Sequence, residues 1–272
     1  MLTEAERESL ADRLRAAERD RAPIAPLVAS HPELDAADAY EIQLFNIRRR
    51  TAAVVGHKVG LSSKAMQQMM GVDEPDYGHL LEDMRVYPDE PVDATRYCQP
   101  RVEPEVAFLL GDDLPEDCTE AQALAATESI APALELIDSR IADWRIKLPD
   151  TIADNASSAG FVLGERRLDP RSVDLRTIPV ELYRNGEEVG VGRSDAVLGD
   201  PLIAVAWLAR TVAKFGVRLR AGHIVLPGSC TRAVDLRPGD AFRAEFGPLG
   251  SVELHARPPV TGAATHAHEE TV

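Results

Sequence analysis

The chain has 272 residues, a formal net charge of −15 and a pI of about 4.9. This acidic balance, without a clustered basic surface, excludes a typical nucleic-acid binder, which needs grouped Lys and Arg to displace counterions. Three cysteines without a C-x-x-C pair are typical of a reduced, intracellular protein. The acidic N-terminus and a longest apolar segment of only residues 202–209, against the ~20 residues of a membrane span, predict a cytoplasmic protein without membrane contact.

The N-terminal part of the chain is predicted to be helical. Thr3 and Glu6 form a capping box before an apolar stripe, and Asp35 caps a second amphipathic helix. The segment 53–61 is short, β-branched and bounded by glycine, which predicts a buried strand. A brief helix follows this strand.

Short strands separated by Gly, Pro and Asp dominate from residue 76 onward. Asn185-Gly186 predicts a tight hairpin, because these residues accept the positive φ angles of a type I′ turn. Asp200 and Pro201 begin a helix that Gly216 ends. The remaining predictions are a helix at 119–129 and strands at 102–110, 133–137, 223–226, 241–246 and 251–255.

These elements predict an α+β protein, since the strands and helices do not alternate as a doubly wound parallel sheet requires. We expect a helical N-terminal region at 1–75 that packs on a β-rich catalytic part at 76–257. Residues 258–272 contain too little apolar surface to pack, which predicts a disordered tail.

Glu103 and Glu105 alternate on a predicted strand and therefore point to the same face. Two carboxylates at that separation repel each other unless a cation or protons lie between them, although exposed glutamates at alternate strand positions are also common. Pro104 cannot donate a ladder hydrogen bond, which predicts an edge or bulged position.

Glu135 lies within an apolar predicted strand, where an unpaired carboxylate would be costly. One interpretation is a salt bridge to Arg140 or Arg145. The other is that Glu135 joins Glu103 and Glu105 in a three-carboxylate site for a hard cation, completed by water.

Lys58 and Asp76 are candidate proton-transfer groups. Lys58 lies in an apolar, glycine-flanked strand, where burial lowers the pKa of a lysine toward the useful range, and a pairing with a carboxylate is an equal alternative. Asp76 lies in an acidic, turn-rich segment, where aspartates usually satisfy their own backbone.

Two further loops are candidate ligand contacts. Residues 150–158 are small and polar, which suits either an anion site or a helix start capped by Asp154 or Asn155. Gly228 follows a strand at a place where backbone could approach a ligand closely. Ser229 carries a hydroxyl but has no visible His/Asp arrangement, so a serine hydrolase is disfavoured.

The segments GHKVGLSSKAMQQMMGVDEPDYGHLL, RVEPEVAFLL, ALELIDSRIADWRIKLPDTIADNASSAGFVLG and LPGSCTRAV occur in this order. Together they resemble the 2-keto-4-pentenoate hydratase family of the fumarylacetoacetate hydrolase superfamily, over roughly residues 3–256. The resemblance implies a mixed β-roll with flanking helices. It also implies a place in the meta-cleavage catabolism of aromatic or steroid rings.

The resemblance also implies the site residues. The family's metal glutamates fall on Glu103, Glu105 and Glu135, with Mg²⁺ or Mn²⁺ as the metal. Its strand lysine falls on Lys58 and its loop aspartate on Asp76. The expected substrate contacts are Leu80, Ser157, Gly228 and Ser229.

The implied reaction is hydration of 2-hydroxypenta-2,4-dienoate or 2-hydroxyhexa-2,4-dienoate to the 4-hydroxy-2-oxo acid, with Lys58 and Asp76 exchanging protons in roles left open. The alternatives are 2-oxo-3-hexenedioate decarboxylase and 2-oxo-hept-3-ene-1,7-dioate hydratase, whose diacids need a basic group such as Arg145 or Arg232. A non-catalytic partner subunit is a third alternative. A homo-oligomer such as a pentamer or decamer is expected, and so is association with the downstream aldolase.

Overall fold

The computed structural model describes residues 1–87 and 89–259, except for the side chains of Ala65 and Met69. The predicted tail at 258–272 therefore lies almost wholly outside the described residues. The helices are α1 (Glu4–Asp20), α2 (Leu27–Ser30), α3 (Ala36–Arg48), α4 (Lys64–Met70), α5 (Glu120–Ala126), α6 (Leu148–Ala153) and α7 (Pro201–Ala213). The strands are β1 (Val54–Gly60), β2 (Asp76–Leu81), β3 (Arg101–Leu110), β4 (Thr127–Ile137), β5 (Ser158–Leu163), β6 (Pro179–Arg184), β7 (Glu187–Arg193), β8 (Ile224–Leu226), β9 (Val234–Asp235), β10 (Ala241–Glu245) and β11 (Ser251–His255).

The local signals in the sequence place most of these elements correctly. The predicted capping box of Thr3 and Glu6 begins α1, and the side chain of Asp35 caps α3. Asn185 and Gly186 have φ values of 53° and 83°, as the predicted hairpin between β6 and β7 requires.

The predicted helix at 119–129 is wrong at its C-terminal end. Helix α5 ends at Ala126, and Thr127 already pairs with Leu110 of β3 as the first residue of β4. Pairing with a distant strand overrides the helical tendency of the local sequence.

The strands form two sheets. The large sheet has seven strands in the order β2-β1-β8-β3-β4-β5, with β9 paired beside β3, and it is mixed because β1 and β8 run parallel. The smaller sheet is antiparallel in the order β11-β10-β6-β7. The division at residue 75 stays a prediction. The structure adds that β1, from the N-terminal side of that division, pairs with β2 and β8 of the large sheet.

The large sheet is buried on both faces. One face, which we call the inner face, carries a small apolar cluster to which every central strand contributes; its fully buried members include Leu80, Ala107, Ala133, Phe161 and Leu226. The other face joins the main core together with the helices. Among the described residues, no helix combines the length and apolarity that crossing a membrane requires.

Pro104 does not lie on an edge strand, and this prediction is wrong. Strand β3 lies between β4 and β8, and its irregularity falls between Leu109 and Leu110. The Pro104 carbonyl accepts a hydrogen bond from the Cys230 amide, in the loop between β8 and β9. The backbone nitrogen and carbonyl oxygen of a strand residue point to the same side of the strand. The Pro104 nitrogen, which has no hydrogen to donate, therefore faces this loop, where no neighbouring strand pairs with β3.

The parallel contact of β1 with β8 depends on Gly56, and it generates the first prediction. A Cβ at Gly56 would lie 2.0 Å from the carbonyl oxygen of Ile224, its partner in the register. Because that neighbour is backbone, we expect Gly56→Ala to lower the free energy of unfolding by about 2 kcal/mol or more, measured by urea denaturation.

The matched control for this variant is Gly111→Ala. A Cβ at Gly111 would lie 3.1 Å from the Cβ of Glu128, and its nearest backbone atoms would be at ordinary contact distances of 3.7 and 3.8 Å, so its cost should be clearly smaller. Equal losses in the two variants would show that the close approach of β1 and β8 is not what requires glycine at position 56.

Candidate active site on the inner face

The structure brings the three predicted metal ligands together on the inner face. Glu103 of β3 lies directly opposite Glu135 of β4, and Glu105 occupies the next position along the same face. One carboxylate oxygen from each residue lies within 4.8 Å of the others. Glu105 and Glu135 are fully buried, and Glu103 is partly exposed.

Few donors satisfy these carboxylates. Glu105 Oε2 accepts from the Gly228 amide at 2.7 Å, and Glu135 Oε1 accepts from Ser158 Oγ at 3.0 Å. Glu105 Oε1 has no hydrogen-bond partner among the described residues, although it is buried. Buried polar atoms without partners are rare, and clustered carboxylate oxygens are the ligands that Mg²⁺ and Mn²⁺ prefer. The donor set therefore fits a hard divalent cation.

The electrostatics of the cluster point to the same conclusion. Burial raises the pKa of Glu103 to about 7, although the charge of Lys58 opposes the shift. Burial, together with the negative charges of Glu135 and Glu103, also raises the pKa of Glu105. Three ionised carboxylates are thus unfavourable here without a positive charge between them.

Lys58 lies beside the glutamates and is itself buried. Its Nζ donates to the carbonyl of Ala156 at 3.0 Å and lies 3.3 Å from Glu135 Oε2. The alternative of a lysine paired with a carboxylate is therefore present. Burial acts to lower the pKa of Lys58, but the charges of Glu135 and Glu103 outweigh it and raise the pKa, opposite to the expected direction.

The arginines proposed as partners of Glu135 pair elsewhere, so that prediction is wrong. Arg140 forms a buried ion pair with Asp154, and Arg145 lies on the surface, 3.5 Å from Asp143. Lys58 reaches Glu135 because β1, β8, β3 and β4 are consecutive in the sheet, which the local sequence does not encode.

Asp76 begins β2 and shares the inner face with Lys58. It is buried, and neither carboxylate oxygen has a hydrogen-bond partner among residues 1–87 and 89–259. Burial raises its pKa, and the charge of Lys58 opposes this. A Cβ at Gly60, opposite on β1, would lie 2.1 Å from Asp76 Oδ1, so glycine there makes room for the carboxylate.

The loop before β5 crosses β1 and β2 in a strained conformation. Asn155, Ala156 and Ser157 have φ values of 54°, 49° and 57°. Such values cost non-glycine residues roughly 1 kcal/mol or more each, and they persist where surrounding contacts impose them. The side-chain amide of Asn155 provides these contacts, accepting from the His79 amide at 2.8 Å and donating to the His79 carbonyl at 3.0 Å.

This loop contains several residues that sequence reasoning missed. The Ala156 carbonyl binds Lys58, Ser158 binds Glu135, and Asn155 fixes the loop on β2. The predicted helix start at Asp154 or Asn155 is wrong, because α6 ends at Ala153. The small, polar composition of the segment predicted a loop that could bind a ligand. It did not predict which atoms of the loop contact Lys58 and Glu135.

The expected substrate contacts differ in their placement. The Ser157 hydroxyl is buried without a partner among the described residues. Leu80 is fully buried in the apolar cluster of the inner face. Gly228 has a φ of 134° and donates its amide to Glu105. Ser229 instead donates its hydroxyl to the Thr231 carbonyl at 2.9 Å, so it is engaged by its own loop.

Residues 49–256 match the family described as fumarylacetoacetate (FAA) hydrolase C-terminal. The chain belongs to this family. It is 45% identical over 255 residues to a 2-keto-4-pentenoate hydratase of Paraburkholderia xenovorans, covering 92% of this chain and 95% of that protein. It is 42% identical over 255 residues to a 2-oxo-hept-4-ene-1,7-dioate hydratase of Escherichia coli, covering 89% and 95%. The solved 4-oxalocrotonate decarboxylase of Pseudomonas putida, complexed with magnesium and adipate, superimposes with a TM-score of 0.89 at 36% identity, covering 94% of this chain and 99% of that one.

The raised pKa of Glu103 predicts how the metal-free protein responds to pH. Its carboxyl group has a pKa of about 7 in the folded protein and ~4.3 in an unfolded chain. The folded state thus binds this proton more tightly, and the resulting stability is lost as the pH rises through about 7. Histidines with lowered pKa values act in the opposite direction, because in the unfolded chain, where their pKa is ~6.5, they lose protons over the same range. We therefore expect the Glu103 contribution in EDTA as a difference between two proteins: between about pH 6.5 and about pH 8 the melting temperature of the unsubstituted protein should change less favourably than that of Glu103→Gln, by about a degree or more.

The variant Glu103→Gln isolates this contribution. The Glu103 contribution is absent from the variant, so its melting temperature should fall less, or rise more, with pH than that of the unsubstituted protein. The part due to Asp154 remains in both proteins, because burial raises the pKa of Asp154 to about 7 despite the charge of Arg140. Excess Mg²⁺ should stabilise the unsubstituted protein more at about pH 8 than at about pH 6.5, since it binds the ionised carboxylates of the folded state. An identical pH dependence of the melting temperature in the two proteins would contradict the prediction.

Proposed function

We propose that the chain is a divalent-metal-dependent hydratase that converts 2-hydroxypenta-2,4-dienoate or 2-hydroxyhexa-2,4-dienoate into the 4-hydroxy-2-oxo acid. The observation that carries the proposal is the cluster of three glutamates, with oxygens within 4.8 Å of one another, beside a buried lysine on a face that also carries an apolar cluster. The likeness to a 2-keto-4-pentenoate hydratase over nearly the whole chain supports the reaction class.

Glu103, Glu105 and Glu135 would hold the metal, which we propose to be Mg²⁺ or Mn²⁺. The magnesium in the solved decarboxylase supports this choice. When bound, such a cation supplies a Lewis acid that suits the carboxylate and the 2-oxygen of an oxo acid. Gly228 and Ser158 fix the orientation of Glu105 and Glu135 through one hydrogen bond each.

Asp76 is the proposed proton-exchange group. Loss of the 2-hydroxyl proton and addition of a proton at C5 give an α,β-unsaturated 2-oxo acid. Addition of water then places a hydroxyl at C4 and a hydrogen at C3, so the overall reaction consumes one water. Asp76 suits these transfers because its carboxyl group is buried on the inner face beside Lys58 and because burial raises its pKa.

Lys58 has a different proposed part. Its ammonium group is held between the Ala156 carbonyl and Glu135, so its position is fixed. A fixed positive charge at this place orients an anionic substrate and stabilises the enolate oxygen that forms when the 2-hydroxyl proton leaves. The apolar side chains of the inner face exclude bulk water, which strengthens that interaction.

We further propose that the enzyme works as a cytoplasmic homo-oligomer, with association with an aldolase as an additional expectation. Strand β7 is the edge of the smaller sheet, and Val189 and Val191 on it are 40% and 64% exposed. An edge strand with exposed apolar side chains supports pairing between chains.

The catalytic proposal is tested with three variants. With Mg²⁺, we expect the unsubstituted protein to hydrate 2-hydroxypenta-2,4-dienoate, followed by loss of the diene absorbance and mass spectrometry of the product. Glu105→Gln should lose both turnover and Mg²⁺ binding in calorimetry. Asp76→Asn should keep Mg²⁺ binding while kcat falls by roughly 10²–10⁴. Glu128→Gln, which removes an exposed carboxylate from the same strand as Glu135, should change neither.

Undiminished turnover in the presence of a chelator would refute metal dependence. Loss of Mg²⁺ binding in Asp76→Asn would place Asp76 among the metal ligands instead of the proton-exchange groups.

A diacid substrate is the second candidate, and Arg85 is the observation that favours it. Arg145 pairs with Asp143, and Arg232 is exposed. The Arg85 guanidinium, in contrast, lies 5.6 Å from the ring centroid of Phe161, which is paired with Glu135 on the inner face. Arg85 Nε is buried without a hydrogen-bond partner among the described residues, and its ion pair with Glu82 is long, at 4.0 Å, so a second carboxylate could compete for it.

The two candidates are separated by substrate and by variant. Arg85→Ala should raise KM for 2-oxo-hept-4-ene-1,7-dioate about tenfold or more, since a charge-assisted hydrogen bond is lost, and leave KM for 2-hydroxypenta-2,4-dienoate within about twofold. Release of CO₂ from 2-oxo-3-hexenedioate by the unsubstituted protein would instead identify a decarboxylase. Equal effects on the two hydratase substrates would assign Arg85 a general structural part.

A further inference from the structure

A second cavity, of about 430 Å³, lies on the other side of β1 and β2. His57 and His79 face each other across these strands, at positions that alternate with Lys58 and Gly78 of the inner face. Side chains at consecutive strand positions point to opposite faces. The cavity is therefore separated from the glutamate cluster by the sheet itself.

The polar lining of this cavity is entirely basic. It consists of Arg48, His57, His79, Arg218, Arg220 and His223, and no Asp or Glu of the described residues lines it. Arg218 pairs with Glu116, whereas Arg48 and Arg220 form no ion pair within the described part of the chain. In a chain with a net charge of −15, such a lining is a local concentration of positive potential that favours an anion.

The histidines add hydrogen-bond donors that lack partners. His57 is fully buried, and neither of its ring nitrogens has a partner among the described residues; the same holds for His79 Nδ1. His223 Nδ1 accepts from the Arg220 amide at 3.3 Å, so the proton of the neutral ring lies on Nε2. Buried donors of this kind normally have a partner, and an anion in the cavity would be one.

A metal ion is the less suitable ligand for these histidines. Among the described residues, the group of three side chains whose ligand atoms can share one ion is the glutamate cluster, and the histidines form no second group. The ring centroid of His57 lies 4.7 Å from that of His79 and 5.9 Å from that of His223. The arginines at the rim would also repel a cation.

The remaining walls of the cavity are apolar. Leu44 and Ile47 of α3, Val54 of β1 and Phe215 after α7 line it. An inorganic anion would leave these side chains without contacts, whereas an organic acid would cover them. We propose that this cavity binds a small organic carboxylate, with Arg48 and Arg220 contacting the charged group and the apolar walls contacting its body. The cavity is a binding site distinct from the catalytic one, and the inference does not rest on the proposed reaction.

Calorimetric titration with benzoate tests this proposal. The protein carries Glu105→Gln and is kept in EDTA, so that carboxylate binding through a metal at the glutamate cluster is absent. We expect benzoate to bind with a Kd of roughly 0.1–1 mM, in the range of a single small ligand. Benzamide, which has the same shape without the charge, should bind at least tenfold more weakly.

Substitutions on the same background locate the site. Arg48→Ala together with Arg220→Ala should weaken benzoate binding at least tenfold, and both residues are exposed, so the fold should tolerate the change. His57→Phe keeps a ring of similar shape without donors and should also weaken binding. Arg243→Ala, an exposed arginine of the smaller sheet, is the matched control and should have no effect. Absence of benzoate binding, equal binding of benzamide, or unchanged binding in the double variant would overturn the proposal.

Discussion

The mutual repulsion of three clustered carboxylates, two of them fully buried, is the constraint around which the site is built. Glu103, Glu105 and Glu135 converge within 4.8 Å on one face of the sheet, and burial and like charges raise the pKa values of these groups. The chain supplies one ammonium group, one amide and one hydroxyl to them, from Lys58, Gly228 and Ser158. These donors come from β1, from the loop after β8 and from β5. The order of strands in the large sheet therefore brings together the groups that offset the repulsion between the carboxylates.

These donors reach the carboxylates only where two backbone segments approach so closely that a side chain between them would clash. A Cβ at Gly78, opposite Lys58, would lie 2.2 Å from the carbonyl oxygen of Asn155. The strained loop can therefore rest on β2 and direct the Ala156 carbonyl at Lys58 only because position 78 lacks a side chain. The strain of three consecutive residues with positive φ is balanced by the two hydrogen bonds of Asn155 and by Lys58 itself.

Local physics was enough to predict part of this arrangement. The alternation of side chains on a strand placed Glu103 and Glu105 on one face, and the cost of a charge within an apolar strand marked Glu135 as unusual. Neither signal identified Lys58 as the partner of Glu135, because that contact depends on β1 and β8 being inserted beside β3. The family resemblance placed Lys58 and the three glutamates in one site, since it carries information about tertiary structure that composition and periodicity lack, but it did not name the contact between Lys58 and Glu135.

The same limit explains the errors. Pro104 was expected at an edge or bulge because proline has no amide hydrogen to donate, which the sequence alone shows. The loop between β8 and β9, which interrupts the hydrogen bonding beside Pro104, is a feature of the tertiary structure. The end of α5 at Ala126 likewise follows from the pairing of β4 with β3. The caps at Thr3 and Asp35 and the Asn185-Gly186 turn were predicted correctly because their hydrogen bonds and φ values are satisfied within a few residues.

Strand β1 connects the two binding regions of the molecule. Lys58 projects toward the glutamates, and His57, one residue earlier, projects into the basic cavity on the opposite face. Because both side chains belong to one extended backbone that is paired with β2 and β8, any displacement of β1 would move His57 and Lys58 together. A ligand of the cavity would then change the affinity of the glutamate cluster for its own ligand, to the extent that it binds more tightly to one position of β1 than to another. By thermodynamic linkage, a ligand of the glutamate cluster would change the affinity of the cavity by the same factor.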